Sequence, residues 1–502
     1  MKSASSSPAG FARRAVSLAM CCMLSGMPLA VNAQQKVATT TPIKHVVIIF
    51  QENRTFDQYF GSYPNALNLP GETPFYAKKG TPTVNNLQTA GMLTANPNSA
   101  QPQRLSPADY IVCSDSHDYS DEQKAWDNGL MDMFPEHTAS SGCASSQVVD
   151  YFDGNTVTAL WNYAQHFAMS DNSLNTSPGP SSPGAINLIS GQTHGVVASL
   201  GDISNDTIAG TLIGDADPLY DDCGSPDQVG LGGKNIGDLL NAKNITWGWF
   251  EGGFADCSQS HTTINGGVRK DYIPHHAPFM YYTSTANPHH LRPSSVAMIG
   301  HQGDQANHNY DIPDFWNAVN AGNFPAVSFI KAPAYADGNS GYSNPLAEQQ
   351  FVVDFINHLQ SLPQWHDTAV FLAWDDTGGW YDHVMPPIVN QSQTARDFVS
   401  GPGFCGNNAS KVAGGYQGRC AYGQRLPMLV VSPWAKQNFV DHGITDQTSM
   451  IRFIEDNWST GRIGDFSFDS LAGDLTPLFD FQRDDLAPRL FLDPATGLSI
   501  GK

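Results

Sequence analysis

Two pairs of polar residues stand where a metal ion could bind. Glu52 and Asn53 directly follow one long apolar run, and Asp375 and Asp376 directly follow another. Carboxylate and carboxamide oxygens are hard ligands that suit a divalent cation. Adjacent aspartates also repel each other unless a positive group lies beside them. The residue types favour a metal site, and the alternatives are helix capping by Glu52 and Asn53 and a solvated turn at the aspartates.

A serine pair lies where a helix is predicted to begin. Ser181 and Ser182 follow a Gly-Pro turn and precede Pro183, and the apolar stretch after them stops at Gly191. Proline near the first position and glycine just past the end are typical of a helix. Free N–H groups at a helix N-terminus favour a phosphate or a developing alkoxide. One serine is therefore a candidate nucleophile, and a simple helix cap is the alternative.

The elements that would position these residues alternate along the chain. Near-continuous apolar runs are typical of buried strands of a parallel sheet, and they occupy 43–50, 245–250, 326–330, 369–374 and 428–431. Helical periodicity occurs at 157–167, 346–359 and 449–458. This alternation predicts a layered α/β core, in which ligands bind beyond the carboxyl ends of the strands. Segments rich in Gly, Pro, Asn and Ser predict long loops at 62–112, 200–235, 256–312 and 386–424.

The charge of the chain argues against nucleic acid as a partner. The formal net charge is −21, from 47 acidic and 26 basic side chains. Such a chain repels DNA, RNA and anionic lipid surfaces. A small anionic substrate would have to be attracted locally, by a metal ion or by a few basic groups.

The N-terminus has the pattern of an export signal. Lys2, Arg13 and Arg14 precede the apolar segment 15–31, and small residues then offer a cleavage site before Gln34. We predict a signal peptide at 1–33, a single domain at 34–502 and a periplasmic or secreted protein. A retained membrane anchor is the alternative, and the Arg13-Arg14 pair leaves twin-arginine export open. No later stretch is apolar enough over a sufficient length to predict stable membrane insertion.

The cysteine count agrees with an exported chain. Cys21 and Cys22 would leave with the signal, and six cysteines would remain. Proximity in the sequence predicts the pairs Cys113–Cys143, Cys223–Cys257 and Cys405–Cys420, although the sequence alone does not fix the connectivity.

Several long segments together resemble one protein family. They are 43–61, Asp171, 179–191, 374–387 and 427–458. In this order they resemble the bacterial phosphoesterase family, which holds non-specific phospholipases C and a branch of acid phosphatases. The resemblance implies an alkaline-phosphatase-like α/β/α sandwich with a mostly parallel central sheet and long loop insertions.

The resemblance also implies roles for particular residues. It identifies Ser181 as the nucleophile and implies one divalent metal ion as the cofactor. The implied metal ligands are Glu52, Asn53, Asp375, Asp376 and Ser181. This oxygen-rich set does not select Zn²⁺ over Ca²⁺, Mg²⁺ or Mn²⁺.

Histidines are the candidates for phosphate binding and proton donation. His117 and the pair His275-His276 match histidine positions of the family, and His383 is a further candidate that could instead orient the aspartates. The chain departs from the acid-phosphatase branch at Asn339, where that branch usually has a histidine. Asn339 can donate a hydrogen bond but supplies no titrating proton; a plain turn residue is the alternative.

The sequence therefore predicts a secreted, metal-dependent phosphoester hydrolase. Its Gly-Pro-Ser-Ser-Pro-Gly segment is more similar to the acid-phosphatase branch, so a broad-specificity acid phosphatase acting on small phosphoesters is the first hypothesis. A phospholipase C that hydrolyses phospholipid headgroup phosphodiesters is the alternative. A third, different class is a secreted phosphate- or glycan-binding protein that has lost catalysis.

Overall fold

The computed structural model describes residues 38–406, 413–483 and 486–501. The predicted signal peptide at 1–33, with Cys21 and Cys22, lies outside the described residues. Within them, no helix combines the length and apolar character needed to span a bilayer.

Short strands and helices alternate through the described chain. The strands are β1 His45–Gln51, β2 Arg104–Leu105, β3 Tyr151–Phe152, β4 Ala168–Ser170, β5 Ser173–Leu174, β6 Val196–Leu200, β7 Thr207–Ile208, β8 Thr211–Leu212, β9 Asp217–Pro218, β10 Gln228–Leu231, β11 Trp247–Glu251, β12 Ser260–Thr262, β13 Val268–Lys270, β14 Asn309–Tyr310, β15 Val327–Lys331, β16 Thr368–Trp374, β17 Met428–Val431, β18 Phe439–Asp441 and β19 Thr445–Asp446. The α-helices are α1 Phe56–Phe60, α2 Tyr119–Ala125, α3 Phe134–His137, α4 Thr158–His166, α5 Ser181–Ser190, α6 Ile236–Ala242, α7 Ile312–Asn320, α8 Pro345–Ser361 and α9 Thr448–Trp458.

A mainly parallel sheet lies at the centre of the fold. Within the described residues it has eight strands in the order β14-β11-β15-β1-β16-β17-β4-β18. The five strands from β14 to β16 are mutually parallel, and only β17 runs opposite to its neighbours. Helix α5 packs on both α6 and α9, and α4 packs on α8. The predicted mixed α/β class with a mostly parallel sheet is confirmed.

All five predicted strands belong to this sheet, with one difference in direction. The run 428–431 has the same buried character as the others, yet as β17 it is antiparallel to β16. A strand buried on both faces is apolar in either direction, so composition does not reveal its polarity. The remaining sheet strands, β4, β14 and β18, have only two or three residues and give no periodic signal.

The register of the central strands brings three carboxyl ends together. β1 pairs in parallel with β15 on one side and with β16 on the other. Phe50 lies opposite Lys331 and opposite Ala373. The residues that follow β1 and β16 therefore meet at one edge of the sheet, next to the end of β15.

Helix α5 packs directly on this edge. It begins at Ser181, two residues before Pro183, and ends at Gly191, whose φ of 63° gives a left-handed C-cap. A Cβ on Gly184 would lie 2.0 Å from the carbonyl oxygen of Asp375. Only glycine permits this approach, so main chain of the helix contacts main chain of the acidic turn.

The long loops are joined by disulfides. All three predicted pairs, Cys113–Cys143, Cys223–Cys257 and Cys405–Cys420, are present. The predicted loops also contain short elements, among them the antiparallel hairpin of β12 and β13. Disulfides compensate where long excursions have little core of their own.

Candidate active site

Four polar residues at the sheet edge form one buried cluster. The Asn53 N–H donates to Asp375 Oδ1 at 2.9 Å, and Asn53 Nδ2 donates to Asp376 Oδ1 at 3.0 Å and to Glu52 Oε2 at 3.4 Å. Asn53 has a φ of 61°, a conformation that asparagine tolerates well. All four predicted protein ligands other than Ser181 are at most 1% exposed. The structure thus brings the two acidic segments together, as predicted.

Ser181 faces this cluster and Ser182 does not. Ser181 Oγ lies 3.0 Å from Asp376 Oδ2 and 3.3 Å from Glu52 Oε2. Ser182 instead donates from both N and Oγ to Asp215 Oδ1, each at 2.9 Å. Its hydroxyl also accepts from Tyr281 at 3.2 Å. The two adjacent serines therefore have different partners: Ser181 contacts the acidic cluster, and Ser182 contacts Asp215. The local sequence pattern alone does not show this difference.

The cluster concentrates negative charge away from water. Burial and the nearby Asp375 together raise the pKa of Glu52 to about 7, against the opposing effect of Lys331. Burial and Asp376 raise the pKa of Asp375 to about 6, and burial is also the main cause that raises the pKa of Asp376 to about 7. A cation bound among these carboxylates would stabilise their ionised form.

The orphaned oxygens of the cluster fit a divalent cation. Asn53 Oδ1 and Asp375 Oδ2 are buried and have no hydrogen-bond partner within the described residues. Donor atoms of Glu52, His276 and Asp375 all lie within 4.8 Å of one another. Hard oxygen ligands with one imidazole are a suitable set for a divalent ion, and buried unsatisfied oxygens are otherwise costly.

Lys331 is a charged member of the site that sequence reasoning missed. It is 1% exposed, ends β15 and forms an ion pair with Glu52 Oε1. Burial alone would lower its pKa, but Glu52, Asp337 and Asp375 raise that pKa above its usual value. The sequence held a usable signal for it. The predicted strand 326–330 ends directly before Lys331, so a charged residue follows a buried strand at the edge where ligands bind.

His117 lines the same cavity as Ser181. Its Nδ1 is 2.7 Å from the Asp115 carbonyl oxygen, which leaves Nε2 directed to Asp376 Oδ2 at 3.9 Å. Burial alone would lower the pKa of His117, but the carboxylates of Asp376 and Asp215 raise it to about 9. The Cys113–Cys143 disulfide closes the segment that carries this histidine.

The two adjacent histidines differ in charge. His275 Nδ1 lies 3.1 Å from Asp217 Oδ1, and Asp215 and Asp217 raise its pKa to about 9 against the opposing effect of burial. His276 Nδ1 lies 3.2 Å from Glu52 Oε1. Burial, Lys331 and His275 together hold the pKa of His276 well below 6.5. One histidine is therefore cationic and the next is neutral, although the sequence treats them alike.

Asn339 contacts the acidic cluster, so it is more than a turn residue. Its Nδ2 donates to Glu52 Oε2 at 3.2 Å, while its Oδ1 is buried without a hydrogen-bond partner among the described residues. The buried Arg54 supports the same loop by donating to Ser340 Oγ at 3.0 Å. The position at which the chain departs from the resemblance thus lies within the site.

Glu122 is a second residue that sequence reasoning missed. This fully buried carboxylate accepts from the Gly179 N–H at 3.0 Å and from the Thr377 hydroxyl. It therefore ties the turn before Ser181 to the turn after Asp376. No motif marked it, because a carboxylate early in a helix is usually a surface residue.

His383 and two further clusters of acidic residues lie outside this site and have partners of their own. His383 lies 2.5 Å from Asp57 Oδ2, and Arg425 pairs with Asp57 and Asp382, so His383 does not contact Asp375 or Asp376. A further cluster joins Asp221, Cys223 and His290, but Cys223 is bonded to Cys257 and provides no thiolate.

A cavity of about 480 Å³ opens in front of Ser181. It is lined by Ser114, His117, Ser181, Asp215, Thr263, Asn265, Gly267, Val268, Arg269, His275, His276, Asn339, Ser340, Gly341 and Tyr342. Among the described lining residues only Val268 has an aliphatic side chain. The cavity is thus suited to a small polar ligand, and its lining residues Ser181, His276 and Asn339 contact the buried acidic cluster.

Curated proteins with similar sequences are phospholipases C. A non-hemolytic phospholipase C of Burkholderia pseudomallei is 26% identical over 91% of this chain and 62% of that protein. A non-hemolytic phospholipase C of Pseudomonas aeruginosa is 25% identical over 92% of this chain and 60% of its own length. The non-specific phospholipase C6 of Arabidopsis thaliana is 24% identical, over 84% of this chain and 67% of that protein.

The chain spans about 60% of the length of the two bacterial relatives. The phosphoesterase family matches residues 43–461, which include β1, the helix that begins at Ser181, the acidic turn after β16 and α9. On this match, and with the sheet edge and its cluster in place, the chain belongs to the phosphoesterase family.

Proposed function

We propose that the protein is a metal-dependent phosphoester hydrolase that uses Ser181 as its nucleophile. The observation that carries the proposal is the position of Ser181 Oγ, 3.0 Å from Asp376 and 3.3 Å from Glu52 at the start of α5. Family membership and the names of the relatives support the same reaction class.

The implied cation would be held by Glu52, Asn53, Asp375, Asp376 and Ser181, and His276 is a further candidate ligand. Its neutral imidazole lies among the same donor atoms, and metal ligation requires a neutral histidine. A bound divalent cation would lower the pKa of the serine hydroxyl and neutralise charge on the phosphoryl oxygens. We propose a single ion.

The residues of the chain supply the rest of the chemistry. Ser181 passes its hydroxyl proton to the neighbouring carboxylate of Asp376. Its Oγ attacks phosphorus and the bond from phosphorus to the leaving oxygen breaks, which leaves the phosphoryl group on the serine. His117 and His275 have pKa values of about 9, so both carry a proton at neutral pH. Either can bind phosphoryl oxygens, and one can donate the proton that the leaving oxygen needs. Water then hydrolyses the phosphoserine and releases phosphate.

Small phosphomonoesters are the proposed first substrate class. The polar lining of the cavity and its volume of about 480 Å³ suit a phosphate with a compact alcohol. This supports the broad-specificity acid phosphatase. A phospholipase C is the second candidate, because the curated relatives carry that name. We also propose the alkaline-phosphatase-like sandwich for the fold, supported by the two helix groups and the parallel sheet, and export to the periplasm or medium.

The experiment compares Ser181→Ala with Ser182→Ala on p-nitrophenyl phosphate, p-nitrophenylphosphorylcholine and phosphatidylcholine micelles. We expect Ser181→Ala to fold normally and to lose activity by about 10³-fold or more, because the covalent route disappears. Ser182→Ala should retain most activity, because the hydroxyl that it removes donates to Asp215 and does not face the acidic cluster.

Equal losses in the two variants would contradict the assignment of the nucleophile. Faster turnover of the choline ester and of micelles than of the monoester would select the phospholipase C. No turnover of any of the three substrates would leave a binding protein as the remaining class.

A further inference from the structure

The β12–β13 hairpin extends over the active-site cavity. The tip is attached to the loop that carries Asn339, because Asn265 Nδ2 donates to the Gly341 carbonyl oxygen at 2.6 Å. On the second strand, the Arg269 guanidinium stacks on the Tyr342 ring, 4.3 Å from its centroid. The aromatic face holds the plane of the guanidinium and leaves its N–H groups available.

Arg269 belongs to two adjoining cavities. The active-site cavity and a second one, also of about 480 Å³, share Asp215, Val268, Arg269 and His275. The second cavity is further lined by Lys270 and by the main chain and side chains around Tyr272. If the phosphorus of a substrate lies at Ser181, the leaving group extends towards this second cavity. The part of the leaving group furthest from phosphorus would then lie there.

The carboxylates near this passage are already engaged. Asp215 accepts from the main chain and the hydroxyl of Ser182. Asp217 accepts from His275 and, at 2.5 Å, from the Ser225 N–H. Neither Arg269 nor Lys270 has a hydrogen-bond or ion-pair partner among the side chains of the described residues.

We propose that Arg269 forms a subsite for an anionic group on the alcohol part of the substrate. The preferred substrates would be small phosphomonoesters whose leaving group carries a carboxylate or a second phosphate. The planar fork of arginine binds either group with two parallel hydrogen bonds. The subsite deepens the proposed phosphomonoesterase function and rests on it.

The test uses pairs of esters that differ in the anionic group. One pair is 3-phosphoglycerate and glycerol 3-phosphate, in which a carboxylate replaces a hydroxymethyl group. The other pair, fructose 1,6-bisphosphate and fructose 6-phosphate, tests a second phosphate. We expect the wild-type protein to favour the doubly anionic member of at least one pair, and the pair in which it does so identifies the anion. This preference should weaken at high ionic strength.

Arg269→Gln should lower kcat/KM for the favoured ester about tenfold and change that of its partner by less than about twofold. Lys436→Gln is the control, because Lys436 also packs on an aromatic ring, Phe439, but lines neither cavity. It should change neither ester.

Equal losses on both members of a pair would overturn the subsite and place Arg269 on the transferred phosphoryl group. An unchanged preference in Arg269→Gln would overturn it as well. If the wild-type protein hydrolyses the esters without any preference, the subsite fails while the proposed function stands. If it hydrolyses p-nitrophenyl phosphate but none of the four esters, the subsite fails while the proposed function stands. If it hydrolyses no phosphomonoester at all, the proposed phosphomonoesterase fails and the subsite fails with it.

Discussion

The site has two halves that differ in how they are built. The sheet-edge half consists of Glu52, Asn53, Asp375 and Asp376, which are at most 1% exposed and follow β1 and β16. The loop half contains His117, His275, Asn339 and Arg269, which lie on loops and on a hairpin. The first half is fixed by strand register, and the second by disulfides and side-chain contacts. We infer that the first half holds the cation next to the nucleophile, and that the second supplies the proton donors and contacts the leaving group, where substrates differ.

The sharpest way to break this comparison is to damage the sheet-edge half. Asp375→Asn removes one proposed ligand, so we expect activity to fall by about 10³-fold and metal addition to stop raising Tm. In the wild-type protein, removal of metal by a chelator should lower both activity and Tm, because like charges are then left together.

Asp367→Asn is the matched control for that prediction. Asp367 lies at the opposite end of β16 and pairs with the exposed His366. It should keep activity and the response of Tm to metal. A chelated wild-type protein with full activity would show that the cluster is not a metal site.

A smaller effect is expected where the two halves meet, at Asn339. Its amide contacts Glu52 from the loop side, so Asn339→His introduces a titrating group next to the nucleophile. General acid–base help is typically about 10²–10⁴-fold, and part of it should appear as faster turnover of alkyl phosphates, whose leaving oxygen needs a proton.

The measurement is the ratio of turnover on an alkyl phosphate to turnover on an aryl phosphate in both variants. Asn339→Gln is the control, since it keeps an amide and adds no titrating proton. If the histidine variant stays folded and the ratio does not change, Asn339 serves only to position Glu52.

The smallest effect is a pH dependence of stability in the loop half. The pKa of His275 rises from 6.5 to about 9 on folding, since Asp215 and Asp217 outweigh burial. Its contribution to the free energy of unfolding is therefore fully present below pH 6.5 and disappears as the pH rises through about 9. Urea titrations of the wild-type protein and of His275→Gln should differ most at the acidic end of this range.

If the two proteins lose stability in parallel between those pH values, His275 is not paired with Asp217 in solution. The sheet-edge variant Asp375→Asn should show the same dependence of stability on pH between 6.5 and about 9 as the wild-type protein. The carboxyl group that it removes has a pKa of about 6, below this range.

The sheet-edge half could be predicted from the sequence almost completely. Long apolar runs marked β1 and β16, and the residues after them meet because parallel strands end at the same edge. The loop half could be predicted only in part. His117, His275 and His276 were found through the family resemblance. That the first two are cationic and the third is neutral depends on Asp215, Asp217 and Lys331, which lie far from these histidines in the sequence. Glu122 and Arg269 carry no local signal, because their roles arise from contacts between distant segments.

The contact of Gly184 with the carbonyl oxygen of Asp375 has a mechanical consequence. Since no side chain separates α5 from the acidic turn, the serine oxygen and the carboxylates are expected to move together as one rigid body. Thermal motion would then leave the distance from nucleophile to carboxylate nearly constant. Substrates of different shape would then be accommodated by movement of the hairpin and of the loop that carries Asn339. Substitutions in these two segments are the ones expected to alter specificity.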